Sequence, residues 1–446
     1  MPVVSIIMPS LNVVDYVGEC IESVMNQTLR NIEIICVDAG STDGTIDVLK
    51  QAARRDDRIK ILNCDVKSYG YQVNKGLDIA TGTYVAILET DDWIEHNMYE
   101  TLYKVALDND LDYAVADFDF VYELSNNYYC HQRYRQFPKG QDMYGRVLES
   151  KEINKLRASD YLLWKGIYNR KFLLDNKIML HESPKAAFQD MGFLQQVKTY
   201  ASRAMYIDES FYRYRIGRKT ASSCNLEGLR FYMNEFSWIN NKLRLPFKMS
   251  NEHKKYYYYT MSISFISKYN QILKELKWDF KDARLSEPWE WFEEQLKRKL
   301  EEKVIDESLY EKEMWRELQL LIHDRQKHML YMRKRDDVYN ENINKCKKQI
   351  DDRKIIIFGC GNIGSKTLIM CNSHDMPVEA FSDNNKKLQT TGYCGYRVLS
   401  ISELKNIKDA LNYIILLAVK NGAKDIEKQI IDNDIDIDVI DMNMFP

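Results

Sequence analysis

Apolar residues recur along this chain in two rhythms, and the places where one gives way to the other divide it into three zones. Residues 1–225 carry short runs rich in Val and Ile: VVSIIMP, IEIICVD, RIKIL, TYVAILE and LDYAVADF. Between them lie stretches of helical period such as DYVGECIESVMNQ and DGTIDVLKQAARR. Such alternation predicts an α/β domain, a mainly parallel sheet with helices on both faces. Residues 226–350 turn helical throughout, in FYMNEFSWINNKL, YYYYTMSISFISKYNQILKEL and EEQLKRKLEEK. Within them KKYYYYT offers an aromatic, basic surface to lipid or a partner, although a helix buried in its own domain or at a dimer contact suits the period better. Residues 332–354 read as an exposed helix or linker. Strand and helix alternate again from KIIIFGCGNIGSKTL through VEAFSD, NYIILLAV and IDVIDM, which predicts a smaller α/β unit over residues 351–446.

The bulk numbers narrow the class. With 446 residues, 45% hydrophobic and 29% charged, the chain suits two or three globular domains. A net charge of −3 gives no pull toward nucleic acid or an anionic membrane. No apolar run approaches the ~18 residues of a membrane-spanning helix. The start, MPVVSIIMPS, reads as a first strand rather than a signal peptide. Nine cysteines without a Cys-x-x-Cys pair suggest reduced thiols, and no zinc ligand set stands out. The expected location is cytoplasmic, with room for peripheral contact at the inner face of the membrane.

In open α/β sheets, ligands sit at the carboxyl ends of the strands. Asp38 ends one predicted strand, and Glu89, Asp91 and Asp92 of LETDDW end another. Alone, the acidic group fits a polar strand end followed by a helix cap. Equally, clustered carboxylates suit a hard divalent cation. Four loops in order, MPSLN, VDAGSTDGT, YGYQVNKG and LETDDW, decide the direction: residues 1–225 resemble the family 2 glycosyltransferases, inverting enzymes of GT-A fold. The resemblance implies that Pro9 and Ser10 line a nucleotide pocket and that Asp38 bonds the nucleobase. It places Asn74, Lys75 and Asp91 beside the nucleotide-sugar. Asp92, with Asp91 and Glu89, would serve Mn²⁺ or Mg²⁺, Asp92 most directly. Such an ion needs only one or two carboxylates when the donor's phosphates complete its shell, and it would stabilise the departing diphosphate. The chain departs from the family pattern at Ala39, at Glu89, at Val73 (which leaves Lys75 or Lys67 as cationic neighbours) and at Gln189.

Inversion by direct displacement needs one general base on the acceptor hydroxyl. SPKAAFQDMGFLQQV resembles the family segment that supplies it, which makes Asp190 the expected base; capping the following helix is the other use of an aspartate there. YLLWKGIYNRKFL resembles the acceptor side, where Trp164 and Lys165 face a sugar or phosphate unless Trp164 is core. In YIDESFYRYRIGRKTASS, Arg213 and Arg215 share one strand face. They suit a diphosphate clamp or surface ion pairs, and GRKTASS suits a closing loop.

In the last zone Gly359, Gly361 and Gly364 spell G-x-G-x-x-G between strand and helix, and Asp383 ends the next strand. The zone resembles small Rossmann-like domains of bacterial surface-polysaccharide proteins. Nucleotide or nucleotide-sugar binding, an assembly role, and redox chemistry with a nicotinamide cofactor all stay open for it. The whole reads as a metal-dependent glycosyltransferase using a nucleotide-diphosphate sugar, expected to be a UDP-sugar. Its acceptor would be a lipid-linked or protein-linked glycan, and the helical middle could pair subunits into a homo-oligomer. The alternatives are an oxidoreductase or epimerase-like enzyme acting through the tail, and a non-catalytic sugar-nucleotide scaffold.

Overall fold

The structure is a computed structural model that describes residues 1–124, 128–137, 143–156, 162–185, 188–217, 225–420 and 422–442. Two compact units emerge: Met1–Phe118, Tyr134–Tyr214 and Arg218–Tyr331 in the first, and Asp119–Arg133, Arg215–Gly217 and Met332–Pro446 in the second.

The main sheet contains β1 (Val4–Ser10), β2 (Ile32–Asp38), β3 (Ile59–Asn63), β4 (Tyr84–Ile87), β5 (Trp93–Ile94), β6 (Tyr113–Glu123), β7 (Tyr129–Tyr134), β8 (Val147–Glu149), β9 (Gly166–Asn169) and β10 (Arg203–Ile216). Their order is β3-β2-β1-β4-β9-β6-β10-β5, with β7 beside β6 and β8 beside β10. β1 to β4 pair in parallel, whereas β9 runs antiparallel to both β4 and β6. Every residue of β1 and β2 is buried, as a strand covered on both faces requires. The covering helix Val14–Met25 turns Val17, Cys20, Ile21 and Val24 inward, a single stripe at helical spacing. Opposite, a Cβ on Gly76 of helix Tyr69–Ile79 would stand 2.5 Å from a methyl carbon of Ile7, so glycine lets this helix lie directly on β1.

The middle zone packs helices Gly228–Ser237, Asn251–Glu275, Ala283–Glu301 and Lys312–His323 around one aromatic core. Phe265 stacks on Phe292 with ring centres 3.8 Å apart. Tyr257, Tyr258 and Tyr259 are all buried there, so the tyrosine run is interior rather than a lipid-facing surface. Among the described residues, no helix is long and apolar enough to cross a membrane.

The second unit holds a wholly parallel sheet of β11 (Lys354–Phe358), β12 (Val378–Ser382), β13 (Val398–Leu399), β14 (Tyr413–Leu417) and β15 (Asp438–Asp441), ordered β13-β12-β11-β14-β15. Alternate residues of β11 feed two cores: Ile355 and Ile357 enter one, Ile356 and Phe358 the other. The first core also takes Leu124 and Cys130 from the β6–β7 hairpin, and Cys346 and Ile350 from the end of helix Arg325–Ile350. That helix, exposed along most of its length, therefore ends as a packed element of this unit. Gly364 sits so close to the β11 turn that a Cβ would lie 1.9 Å from the Gly359 carbonyl oxygen. Gly364→Ala is expected to destabilise the second unit by about 1–3 kcal/mol through overpacking, read as earlier proteolysis of residues 332–446; unchanged resistance would contradict the packing.

Candidate active site

The carboxyl ends of β1 and β2 stand side by side, with Ser10 opposite Asp38. Gln72, buried on helix Tyr69–Ile79, ties them by donating to the Ser10 and Val37 carbonyls at 2.9 and 2.7 Å. Asp38 is 3% exposed and receives the Gly40 and Ser41 amides and the Ser41 hydroxyl. Its two oxygens offer about four acceptor positions, so those three bonds leave capacity for a ligand. Ser10 Oγ is buried with no hydrogen-bond partner among the described residues. An unmet hydroxyl of this kind is costly in a finished core and ordinary in a binding site.

After β4 the chain delivers Glu89, Asp91 and Asp92 to the same edge. Thr90 anchors this loop through a 2.8 Å bond from its hydroxyl to the Pro9 carbonyl. Two tyrosines hold the flanking carboxylates: Tyr69 donates to Glu89 at 2.5 Å, and Tyr212 donates to Asp92 at 2.8 Å. Burial first, and then the adjoining carboxylates, push both phenols well above the usual tyrosine range, so they remain donors. Asp92 is 1% exposed, whereas Glu89 and Asp91 are partly open. Among the described residues, no three Asp, Glu, His or Cys side chains form a metal ligand set. The group fits a divalent cation only in the form that borrows oxygens from a diphosphate.

Asp190 lies in the first turn of helix Gln189–Tyr200 and accepts the Met191 amide at 2.9 Å. Burial, and secondarily the charge of Glu235, push its carboxyl up to about 7, while the Met191 amide acts the other way. The Tyr69 amide donates to the Lys185 carbonyl, which also receives the side chain of Gln189, so the tyrosine that bonds Glu89 is tied to the residue next to Asp190. Glu235 arrives from the helical zone and is 1% exposed. A Cβ on Gly192 would lie 2.0 Å from its Oε1, so only glycine admits that carboxylate to the helix's first turn. Its Oε2 meets His181 Nδ1 at 2.9 Å, and the His181 ring lies flat on Trp238, 4.8 Å away. Gln189 is buried and fastens Ser183 and the Lys185 carbonyl.

Several expected contacts are put to other use. Asn74 spends its amide on the Leu180 backbone and Glu182, fixing the segment that leads to Asp190 instead of facing a donor. Lys75 points to the exposed side of the same helix, 3.6 Å from Asp78, because successive helical residues lie on different faces. Val73 is fully buried, and Lys67 is exposed. Trp164 is 4% exposed and stacks on Tyr212 at 3.9 Å, so it is core, bracing the tyrosine that holds Asp92. Lys165 is 2% exposed, and its ammonium donates to Gln136 rather than facing an acceptor. Arg213 pairs with Glu95 at 2.6 Å, the ion-pair reading and not the clamp. Arg215 belongs to the second unit, where it donates to the Tyr129 hydroxyl. Of the stretch GRKTASS only Gly217 falls within the described residues.

The pattern of the family described as Glycosyl transferase family 2 matches residues 5–173. Glycosyltransferase GlyG of Streptococcus pneumoniae serotype 4 is 30% identical over 220 residues, spanning 48% of this chain and 70% of that protein. The chain belongs to the family 2 glycosyltransferases. Two further members extend the likeness. The uncharacterized glycosyltransferase YibD of Escherichia coli K12 is 28% identical over 50% of this chain and 64% of its own length. The cholesterol galactosyltransferase of Borreliella burgdorferi is 26% identical over 58% and 74%. Among solved structures, S. aureus TarS 1–349 gives a TM-score of 0.46 at 19% identity, covering 77% of this chain and 92% of that one.

In this glycosyltransferase the second unit carries a separate pattern, described as C2185-like, N-terminal, over residues 351–440. Gly359 takes φ +113, and the Cβ position of Gly361 faces open space. Asp383, just past β12, turns back on the glycine turn and accepts the Cys360 amide at 2.9 Å and the Asn385 amide at 2.8 Å. It thereby takes up an N–H that a phosphate at this turn would use. Three partners in the main site, Tyr69, Tyr212 and Glu235, escaped the sequence reading. Tyr69 opens the very stretch, YGYQVNKG, from which the family resemblance singles out only Val73, Asn74 and Lys75. Glu235 carries no local signal at all.

Proposed function

We propose that this glycosyltransferase moves a sugar from a nucleotide-diphosphate sugar, with UDP-sugars the first to test, onto a hydroxyl of a lipid-linked or protein-linked bacterial glycan, inverting the anomeric centre. The observation that carries the reading is the convergence on one sheet edge of Ser10, Asp38 and the Glu89–Asp92 loop, with the Tyr69 that bonds Glu89 tied through the Lys185 carbonyl to Gln189, the neighbour of Asp190.

In this scheme Ser10 and Asp38 bind the nucleoside, Ser10 through its unmet hydroxyl. Asp91 and Asp92, with Glu89 beside them, would hold a divalent ion, which when bound supplies positive charge to the departing diphosphate. Tyr212 keeps Asp92 oriented from the far side. Asp190 accepts the proton of the acceptor hydroxyl as its oxygen attacks; a base that titrates near 7 is matched to this task. Fixed donors and a half-buried carboxylate need little rearrangement during the reaction.

The test is nucleotide release from a panel of UDP-, GDP- and dTDP-sugars with manganese present. At least one donor is expected to turn over, and to stop doing so in Asp92→Ala or after chelation. No release from any donor, with sugar-nucleotide still tightly bound, would sink the proposal in favour of a scaffold.

A further inference from the structure

A cavity of about 430 Å³ opens in the helical zone, between the start of helix Asn251–Glu275 and the C-terminal half of helix Ala283–Glu301. Its size is that of a small-ligand site. Three cations line it, Lys254, Arg298 and Lys299, against one carboxylate, Glu302, an excess of two positive charges in a chain whose net charge is −3. Glu302 is shared: the Lys299 ammonium bonds one oxygen and Arg298 Nε stands 3.6 Å from the other. The Lys299 hydrogen bond first, and the charges of all three cations with it, hold the Glu302 carboxyl below its ordinary range against a smaller opposing effect of burial. One carboxylate thus faces three cations and leaves two positive charges uncompensated within the lining.

The neutral lining is equally particular. Asn241, Asn251 and Gln295 bring carboxamides, which donate and accept at once. Phe247 stands at the rim 75% exposed, with the Arg244 guanidinium 4.9 Å over its ring. Such a ring on a wet surface gains by covering, and an aromatic face with carboxamides around it suits the alternating CH and OH groups of a sugar. Cations supply what a bare sugar lacks a partner for.

We propose that this cavity binds a saccharide carrying a phosphate or carboxylate, with its ring on Phe247 and its anionic group between Lys254 and Arg298. Resting on the transferase reading, the saccharide it holds would be an anionic part of the acceptor glycan.

Calorimetric titration of the full chain with glucose 6-phosphate is expected to show saturable binding, weakened about tenfold or more in the Lys254→Gln/Arg298→Gln double variant and reduced in Phe247→Ala. Glucose and inorganic phosphate should each bind more weakly than the sugar phosphate. The titration does not involve turnover, so its outcome stands whether or not the transferase reading holds. Absence of saturable binding, indifference to the double variant, or phosphate binding as tightly as the sugar phosphate would overturn the proposal. So would Lys254-dependent capture by phosphatidylglycerol vesicles without glucose 6-phosphate binding, which would assign the cavity to a lipid headgroup.

Discussion

Asp190→Asn is expected to lower turnover by about 10²–10⁴-fold, the range for removal of a positioned general base, while affinity for the nucleotide-sugar stays within about twofold. The split follows from placement, because Asp190 lies on helix Gln189–Tyr200, whereas Ser10 and Asp38, the groups proposed to take the nucleoside, end β1 and β2. Stability supplies the control. A carboxyl raised by burial to about 7 favours the fold when protonated, so its contribution is complete below about pH 4 and is lost as pH rises through about 7. Asparagine escapes that loss. The variant should therefore melt no lower than the parent at pH 8, and an inactive protein that melts normally would isolate the chemistry. Turnover retained within tenfold would remove Asp190 from its role.

Dependence on pH gives the second large effect. Asp190 works as a base only when ionised, so the transfer rate should fall about tenfold per pH unit below about 7 and level off above it. Burial is the main cause of that position, the Met191 amide opposes it, and the charge of Glu235 adds to it. Tyr69, with Glu89 behind it, and His181, through Glu235, are the other ionisable groups gathered there. In Glu235→Gln one negative charge is gone and the carboxamide keeps the shape, so the acid limb should move to lower pH while the plateau changes little. Rate–pH profiles of the two proteins test this directly, and a limb that stays in place or moves upward would exclude coupling between the carboxylates.

Glu235 also marks where reading residues in order stops working. The parallel strands, their helices, and the loops that end on Asp38, on Glu89–Asp92 and at Asp190 are all written locally, in runs of Val and Ile followed by polar residues. A strand's end and its face follow from a period of two, and a helix's buried stripe from a period near 3.6. Those periods could also show that Arg213 and Arg215 share a face, but not that Glu95 would meet one of them and Tyr129 the other.

Local pattern, then, settled which segments fold into which elements, that two separate α/β sheets flank a helical zone, and which edge of the larger one gathers acids. Only the tertiary structure decided the partners: Tyr69 and Tyr212 on the acidic loop, Asn74 turned to holding the chain ahead of Asp190, Trp164 spent on bracing Tyr212. It alone gave Leu124 and Cys130 of the β6–β7 hairpin to the smaller unit's core. The reason is that periodicity fixes the direction of a side chain relative to its own backbone, whereas the atom it meets depends on close packing between segments far apart in sequence.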